Sequence, residues 1–357
     1  MWRPRYGLGV DRRGIAGIAA LLLVFLALVF GAFLTAGPDR YVVPQVSATP
    51  LDTVSPSLVV EAPGGRARPH QRTLDPYRGL GAWVDSFDAD PAHAPGAPTV
   101  YPSAVAGMAA EGVRTLYLQG ARASEGARFP TADPWLLAEY LLAAHAADVA
   151  VVAWYLPMWE DGDEDLDRLV ALSAFEVLGH RFDGLAVDIE WKDDGLEHEE
   201  RSRRLVELGE RLRTTVGTDV LGGIVMPPVV TEEINPDFWP GFPWAEIRST
   251  YDVWLPMSYW SFRTDEHADP RTYTARNVRI LRELLGDGSA VVHAVGGIGA
   301  ADGTDLPDPG EPLAAVGDLD GFLTALDETG AVGGSIYDWV TTGVEARRHL
   351  AEAFSGR

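Results

Sequence analysis

The sequence contains no cysteine and only one lysine, Lys192, among its 357 residues. The missing cysteine excludes disulfides, thiolate zinc sites and cysteine nucleophiles. With 52 acidic against 29 basic residues, the formal net charge at pH 7 is -23. A chain this acidic repels phosphate backbones, so nucleic acid is not an expected partner. The eight histidines lack metal-ligand spacing and no G-x-S-x-G occurs, so no metal, cofactor or serine hydrolase site is predicted.

Charge is also absent from residues 14–37, a run of apolar residues long enough to cross a bilayer as a helix. Four arginines precede this run, and the positive-inside rule therefore places residues 1–13 in the cytoplasm and the remainder outside. The sequence predicts a single-pass protein of the cell membrane with an extracellular domain. The alternative is a cleaved signal peptide and a secreted protein, although no convincing A-x-A-like site follows the run.

Residues 38–75 are rich in proline, serine and threonine and have no helical period, so they are predicted to form a flexible linker. The folded domain is expected to comprise residues 76–357. Within it, short apolar runs alternate with amphipathic stretches; the runs cover residues 80–87, 113–119, 149–157, 182–191, 219–228, 251–260, 290–299 and 332–339. Eight strand–helix units in about 280 residues predict an α/β fold, the (β/α)8 TIM barrel. A doubly wound open sheet is the alternative, but its glycine-rich nucleotide turn is missing.

The fourth run, FDGLAVDIEW, carries two acids near its end, Asp188 and Glu190. Side chains alternate along a strand, so positions 185, 187 and 189 share one face and positions 186, 188 and 190 share the other. In a barrel, one face packs beneath the helices, and inward residues near the C-terminal strand ends face the active-site mouth. We therefore predict that Asp188 and Glu190 point into the mouth.

Within this run, DGLAVDIE resembles D-G-x-D-x-D-x-E, the fourth-strand signature of glycoside hydrolase family 18, the chitinase-like (β/α)8 enzymes. Asp183, Gly184, Asp188 and Glu190 match the signature, whereas Ala186 replaces its middle aspartate. Members of the family that act on bacterial cell-wall glycans also vary at that position.

Two further segments resemble the family in chain order. PMSY contains Met257 and Tyr259 and resembles the strand-six motif M-x-Y, and Trp339 matches the tryptophan that floors the sugar site. The acid or amide that follows the strand-six tyrosine is missing, because Trp260 stands there. The resemblance extends over roughly residues 80–345 in layout, but it is specific only at these places.

The resemblance implies a retaining mechanism in which the substrate's own acetamido group acts as the nucleophile. Glu190 would protonate the leaving glycosidic oxygen, Asp188 would orient the acetamido group, and Tyr259 would hydrogen-bond its oxygen. Asp183 has the opposite strand parity from Glu190 and is interpreted as a supporting residue. With Ala186 in place of an acid, Asp188 lacks one partner with which to share a proton.

Other side chains are assigned by position. Trp83 and Asp85 end the first run and are candidate substrate-binding residues, with core packing the alternative for Trp83 and helix capping the alternative for Asp85. His293 is expected to be a hydrogen-bonded core residue, and Trp154 and Trp254 are expected to be core residues. The acidic run EDGDEDLD is expected to form a solvated loop.

The sequence thus predicts a membrane-anchored extracellular glycoside hydrolase whose partner is a polysaccharide or oligosaccharide. The expected substrate contains N-acetylhexosamine, as in chitin or peptidoglycan. Two alternatives remain. Ala186 and Trp260 favour a barrel that has lost catalysis and binds cell-surface glycan; a glycosidase of different specificity would pair Glu190 with a carboxylate from another strand.

Overall fold

The computed structural model describes residues 71–94, 97–123, 128–192, 195–298, 300–301 and 314–356. The predicted cytoplasmic tail, the predicted membrane span and residues 38–70 of the predicted linker lie outside these ranges. Among the described residues, no helix is both long enough and apolar enough to cross a membrane.

Eight parallel strands close into a barrel in which each strand pairs with the next along the chain and the last pairs with the first. The strands are β1 (Gly79–Val84), β2 (Thr115–Gln119), β3 (Ala150–Tyr155), β4 (Gly184–Ile189), β5 (Leu221–Val225), β6 (Val253–Pro256), β7 (Val291–Ile298) and β8 (Gly333–Tyr337). The predicted (β/α)8 barrel is therefore confirmed, and the open sheet is wrong.

One helix follows each strand on the outside of the barrel. These are α1 (Val105–Ala110), α2 (Pro134–Ala146), α3 (Gly162–Ala174), α4 (His198–Val216), α5 (Trp244–Ile247), α6 (Pro270–Leu285), α7 (Leu319–Thr329) and α8 (Val344–Phe354). Local chemistry sets several of their ends. Helix α6 begins after Asp269, whose side chain accepts a 2.7 Å hydrogen bond from the Thr272 N–H, and it ends at Gly286 in the left-handed conformation.

The acidic run EDGDEDLD does not form the expected loop. Asp161 caps α3 by accepting hydrogen bonds from two backbone N–H groups, and the acids after it occupy the first helical turn. Negative side chains are favourable there because the N-terminus of a helix carries partial positive charge. Asp165 is buried and accepts a 2.5 Å hydrogen bond from the Tyr155 hydroxyl, so this acid anchors α3 to β3.

The strand parity predicted for β4 is confirmed. Ala186 lies in the apolar cluster that fills the barrel, whereas Leu185, Val187 and Ile189 belong to the cluster between strands and helices. The other core predictions hold as well: Trp154 is buried inside the barrel and Trp254 is buried beneath the helices.

The N-terminal end of the barrel is closed by the segment that precedes β1. Tyr77 is fully buried in the barrel, where its hydroxyl donates a 2.9 Å hydrogen bond to the Leu185 carbonyl. Gly333 allows the backbone of Tyr77 to lie against the start of β8, because a Cβ at position 333 would lie 2.6 Å from the Tyr77 carbonyl oxygen. Arg72 is 5% exposed and forms an ion pair of 2.7 Å with Asp219. The predicted linker boundary is therefore too late, because residues 71–75 already belong to the folded domain.

Candidate active site

Asp188 and Glu190 lie at the C-terminal end of β4 and face the interior, as the sequence predicts. Asp188 is 6% exposed, and its Oδ1 atom has no hydrogen-bond partner among the described residues. Burial raises the pKa of Asp188 well above its usual range, and the neighbouring charge of Glu190 raises it further. Burial also raises the pKa of Glu190 to about 7. A carboxyl group that keeps its proton near neutral pH can act as a general acid.

Tyr259 lies beside these two acids, just beyond the end of β6. Burial raises the pKa of its hydroxyl, and the charges of Glu190, Asp188 and Asp338 raise it further, so the phenol remains a neutral hydrogen-bond donor. Met257 is 5% exposed and lies in the interior cluster beneath this tyrosine. The structure thus brings together the two acids and the tyrosine that the motifs single out.

Trp339 does not lie in the mouth, and its predicted position is wrong. Its ring packs against the apolar layer outside the barrel, where the Arg347 guanidinium of α8 lies 3.7 Å from the ring centroid. The cause is local. Strand β8 ends at Tyr337, and Asp338 then accepts a 2.9 Å hydrogen bond from the Thr341 N–H in a turn, so strand alternation does not continue to position 339.

Tyr337 is the aromatic residue that β8 contributes to the interior, and the sequence analysis missed it. Its ring lies 5.9 Å from that of Tyr259 and 6.0 Å from that of Trp83. Its hydroxyl donates a 2.8 Å hydrogen bond to Oδ2 of Asp85. Strand parity could have identified it, because Ser335 is the inward residue two positions earlier and hydrogen-bonds to Trp83 and His293 inside the barrel.

Trp83 and Asp85 occupy different depths. Trp83 is only 2% exposed and stacks on Tyr117 with ring centroids 4.4 Å apart, which favours the core alternative. Contact of Trp83 with substrate stays a prediction. Asp85 caps the one-turn helix Ser86–Ala89 and also accepts the Tyr337 hydrogen bond. Asp85 therefore fixes a mouth residue.

Asp85, Asp88 and Asp338 bring carboxylate oxygens within 4.8 Å of one another, a spacing that a cation would fit. A proton also relieves the repulsion in this group. Burial, followed by the charges of Asp338 and Asp85, raises the pKa of Asp88 to about 8, so Asp88 is mostly protonated at neutral pH. The prediction that the protein uses no metal stays a prediction.

Asp183 lies at the start of β4, at the opposite end of the barrel. Its Oδ2 atom accepts a 2.8 Å hydrogen bond from the Val151 N–H and lies 2.9 Å from Nε2 of His145. It joins β3, β4 and α2, which agrees with the supporting role inferred for it. His293 is likewise structural, since it is 1% exposed and burial lowers its pKa to about 4.

The two departures from the motif pattern have different surroundings. Trp260 is 1% exposed and points away from the mouth, where its Nε1–H donates to Asp318 at 3.2 Å. Ala186 lies inside the barrel one inward position below Asp188, and a Cβ added at Gly222 would lie 3.1 Å from its methyl group. Only the alanine therefore changes the surroundings of the acids.

No family profile matches the chain, and no curated protein matches it. Solved structures do resemble its fold. A class V chitinase from Pseudomonas fluorescens superimposes with a TM-score of 0.52 at 10% identity, covering 77% of this chain and 99% of that one. The spore cortex-lytic enzyme SleL of Bacillus cereus gives 0.54 at 9% identity, covering 80% and 75%. An endo-1,4-β-D-mannanase from Thermotoga petrophila gives 0.54 at 9%, covering 78% and 100%. The likeness shows a barrel fold that glycoside hydrolases share.

Proposed function

We propose that the protein is a glycoside hydrolase that cleaves glycans containing N-acetylhexosamine, of the chitin or peptidoglycan type. The observation that carries the proposal is the pairing of buried Asp188 with partly buried Glu190 beside Tyr259 at the barrel mouth, with the pKa of Glu190 raised to about 7. The barrel is shared by chitinases and by a mannanase, so the fold alone does not select the sugar.

The proposed reaction proceeds with retention of anomeric configuration. Glu190 donates its proton to the glycosidic oxygen as the bond to the anomeric carbon breaks. The substrate's acetamido oxygen attacks that carbon from the other face and forms an oxazolinium ion, whose positive charge Asp188 balances. Glu190, now a carboxylate, takes a proton from the water that opens the ring, and the hydroxyl is delivered to the original face.

The neighbouring groups support these roles. Tyr259 keeps its proton and can donate a hydrogen bond to the acetamido oxygen. The partnerless Oδ1 of Asp188 can accept a hydrogen bond from the acetamido N–H. Burial favours the neutral form of Asp188, but a developing positive charge beside it favours the ionised form. Once ionised, the desolvated carboxylate stabilises that positive charge more strongly than a carboxylate in water would.

The proposal is tested by incubating the protein with oligomers of N-acetylglucosamine, with peptidoglycan fragments and with mannan oligomers, and by following the first anomer released by NMR. We expect hydrolysis of the N-acetylated glycans, a retained product, and inhibition by a thiazoline that mimics the oxazolinium ion. An inverted product would contradict the mechanism and would indicate a water-activating carboxylate. Asp338 would be the first candidate, because its charge reaches Tyr259.

We also propose that residues 14–37 anchor the protein in the cell membrane with the barrel outside. The support is the length of the uncharged run and the arginines before it. Fractionation tests this. The intact chain should be recovered with membranes, and protease added to intact cells should digest the barrel. A shortened chain in the medium would instead show that the run is a cleaved signal peptide.

A further inference from the structure

Two histidines meet at the N-terminal end of the barrel. His145 lies in the last turn of α2, and His180 lies in the hairpin formed by Glu176–Val177 and His180–Arg181. Their Nδ1 atoms are 2.7 Å apart, and their ring centroids are 4.9 Å apart. Because the two positions are 35 residues apart in the sequence, a search for closely spaced histidines does not find the pair.

Asp183 determines which nitrogen of His145 faces His180. Its Oδ2 atom lies 2.9 Å from Nε2 of His145 and also accepts the Val151 N–H. Because a carboxylate accepts hydrogen bonds, Nε2 of His145 carries the proton in this contact. In the neutral imidazole, Nδ1 of His145 then holds a lone pair that is directed at His180. Only one proton therefore lies between the two Nδ1 atoms.

This arrangement is the one that metal-binding histidines adopt. A histidine that binds a metal through one ring nitrogen usually donates its other N–H to a carboxylate, which fixes the orientation of the ring. Asp183 supplies that carboxylate to His145. Around a tetrahedral ion with nitrogen–metal bonds of about 2.0–2.1 Å, two ligand nitrogens lie about 3.3 Å apart. The two Nδ1 atoms, now 2.7 Å apart, need to separate by only about 0.6 Å for an ion to replace the shared proton.

A cavity gives an ion access to this pair. It has a volume of about 1330 Å³ and is lined by residues at the N-terminal ends of the barrel strands. His145, His180 and Asp183 all belong to its wall. Water can fill the coordination positions that protein ligands leave open, so two imidazoles with water from the cavity form a complete shell.

The charges around His145 favour a cation. Asp183 and Asp148 line the same cavity, and the formal net charge of the chain is -23. His145 also lies at the C-terminal end of α2, where the helix dipole gives partial negative charge. These charges stabilise a bound ion more than they would stabilise a neutral ligand.

Four arginines also line the cavity: Arg72, Arg78, Arg114 and Arg181. Arg72 pairs with Asp219 at 2.7 Å. Arg181 follows His180 along the hairpin strand and therefore faces the other side, where it donates a 2.9 Å hydrogen bond to the Ser173 carbonyl. The other two are exposed to solvent, where salt screens their charge. The arginines therefore do not prevent a cation from binding between the histidines.

We propose that His145 and His180 bind a Zn²⁺ ion between their Nδ1 atoms, with Asp183 holding His145 in position. Imidazole nitrogen is a preferred ligand of this ion. The ion would join α2 to the hairpin at the end of the barrel opposite Asp188 and Glu190, and it would stabilise the folded state without taking part in hydrolysis. The inference is independent of the proposed function.

The test titrates the full chain, in detergent and without a histidine tag, with Zn²⁺ in a calorimeter. His180→Gln removes one ligand and should lower the Zn²⁺ affinity about tenfold or more, and Asp183→Asn should lower it by about 10- to 100-fold. His349→Gln is the matched control, because His349 contacts Asp320 at 2.8 Å but pairs with no other described histidine, and it should leave the affinity unchanged. Circular dichroism confirms that each variant is folded.

NMR of the parent chain with ¹⁵N-labelled histidine rings locates the ion even if a variant fails to fold. Zn²⁺ should shift the Nδ1 signals of His145 and His180 and leave those of His349 in place. Zn²⁺ should also raise the Tm of the parent chain but not that of His180→Gln. The proposal is overturned if the parent chain binds no Zn²⁺, if His180→Gln binds it as tightly as the parent, or if only other histidines shift. Binding that survives in His180→Gln would point instead to the carboxylates of Asp85, Asp88 and Asp338.

Discussion

At the N-terminal end of the barrel, Asp219 and Asp183 have partners of the opposite kind, whereas the two acids of the candidate active site at the C-terminal end face each other. Asp219 pairs with Arg72, and Asp183 contacts His145 and a backbone N–H. Asp188 instead faces Glu190. A paired buried carboxylate holds elements together, while a desolvated carboxylate beside another acid destabilises its own ionised form. Asp219 and Asp183 thus stabilise the fold at one end of the barrel, whereas Asp188 and Glu190 are placed for catalysis at the other.

The largest expected effect is the loss of hydrolysis in Glu190→Gln, which changes an acid at the C-terminal end of the barrel. The amide keeps the shape of the side chain but cannot donate the proton, so the rate of hydrolysis should fall by about 10² to 10⁴. The measurement is kcat/KM on a chromogenic N-acetylglucosamine oligomer. Glu176→Gln makes the same chemical change at an exposed acid near the N-terminal end and should leave kcat/KM unchanged. Unchanged turnover in Glu190→Gln would remove Glu190 from the mechanism.

Arg72→Met tests the N-terminal end of the barrel, where Asp219 is paired with an arginine. Arg72 is buried and also donates hydrogen bonds to the Ser173 and Phe182 carbonyls. Its replacement removes the ion pair with Asp219 and the side-chain hydrogen bond to Phe182, while the Ser173 carbonyl still accepts a hydrogen bond from Arg181. The free energy of unfolding in urea should fall by about 3 kcal/mol, with kcat of the folded protein unchanged. Arg78→Met breaks an exposed ion pair of the same segment and should cost less than about 0.5 kcal/mol. Equal effects of the two variants would show that burial of the pair is unimportant.

The pH dependence of stability should differ between wild type and Glu190→Gln. The pKa of Glu190 is about 7 in the folded protein against 4.5 for an ordinary glutamate. As pH rises between these values, the unfolded chain loses the proton before the folded one does, so wild-type stability falls. Glu190→Gln removes this loss and should be more stable than wild type by roughly 1 to 3 kcal/mol at pH 8.

The control for this experiment is the same comparison at pH 5, where the difference should shrink to a fraction of its value at pH 8 because the folded wild type keeps the proton. Urea unfolding at both pH values gives the two differences. A stability gain that is the same at pH 5 and pH 8 would show that packing, and not the proton, distinguishes glutamate from glutamine at position 190.

Regular periodicity was sufficient to predict the barrel and the inward parity of Asp188 and Glu190, because a strand alternates its faces without regard to distant contacts. Prediction was wrong where the chain leaves the strand. Trp339 was expected in the mouth by its likeness to a motif, but the turn that Asp338 forms carries it outside. The number of residues between a strand end and an aromatic residue does not fix the direction of its ring.

Groups of side chains that come together from several strand–helix connections could not be predicted from any one segment of the sequence. Asp85 was predicted as a residue at a strand end, but its proximity to Asp338 depends on the closure of β8 against β1 and on a hydrogen bond that spans more than 250 residues of sequence. Residues 71–75 were also predicted as linker, because the contacts that hold Arg72 are made with residues far along the chain.

The smallest expected effects come from removing one tyrosine hydroxyl at each end of the barrel. Tyr337→Phe removes the hydrogen bond to Asp85 that orients the ring beside Tyr259, and it should lower kcat/KM by a factor equivalent to about 1 kcal/mol, roughly fivefold. Tyr77→Phe removes a buried hydroxyl that bonds to the Leu185 carbonyl, and it should lower the free energy of unfolding by about 1 kcal/mol while kcat/KM stays the same. Both quantities are measured for both variants. If Tyr337→Phe changed only stability, then Asp85 and Tyr337 would serve the barrel as Tyr77 does, and the mouth would end at Tyr259.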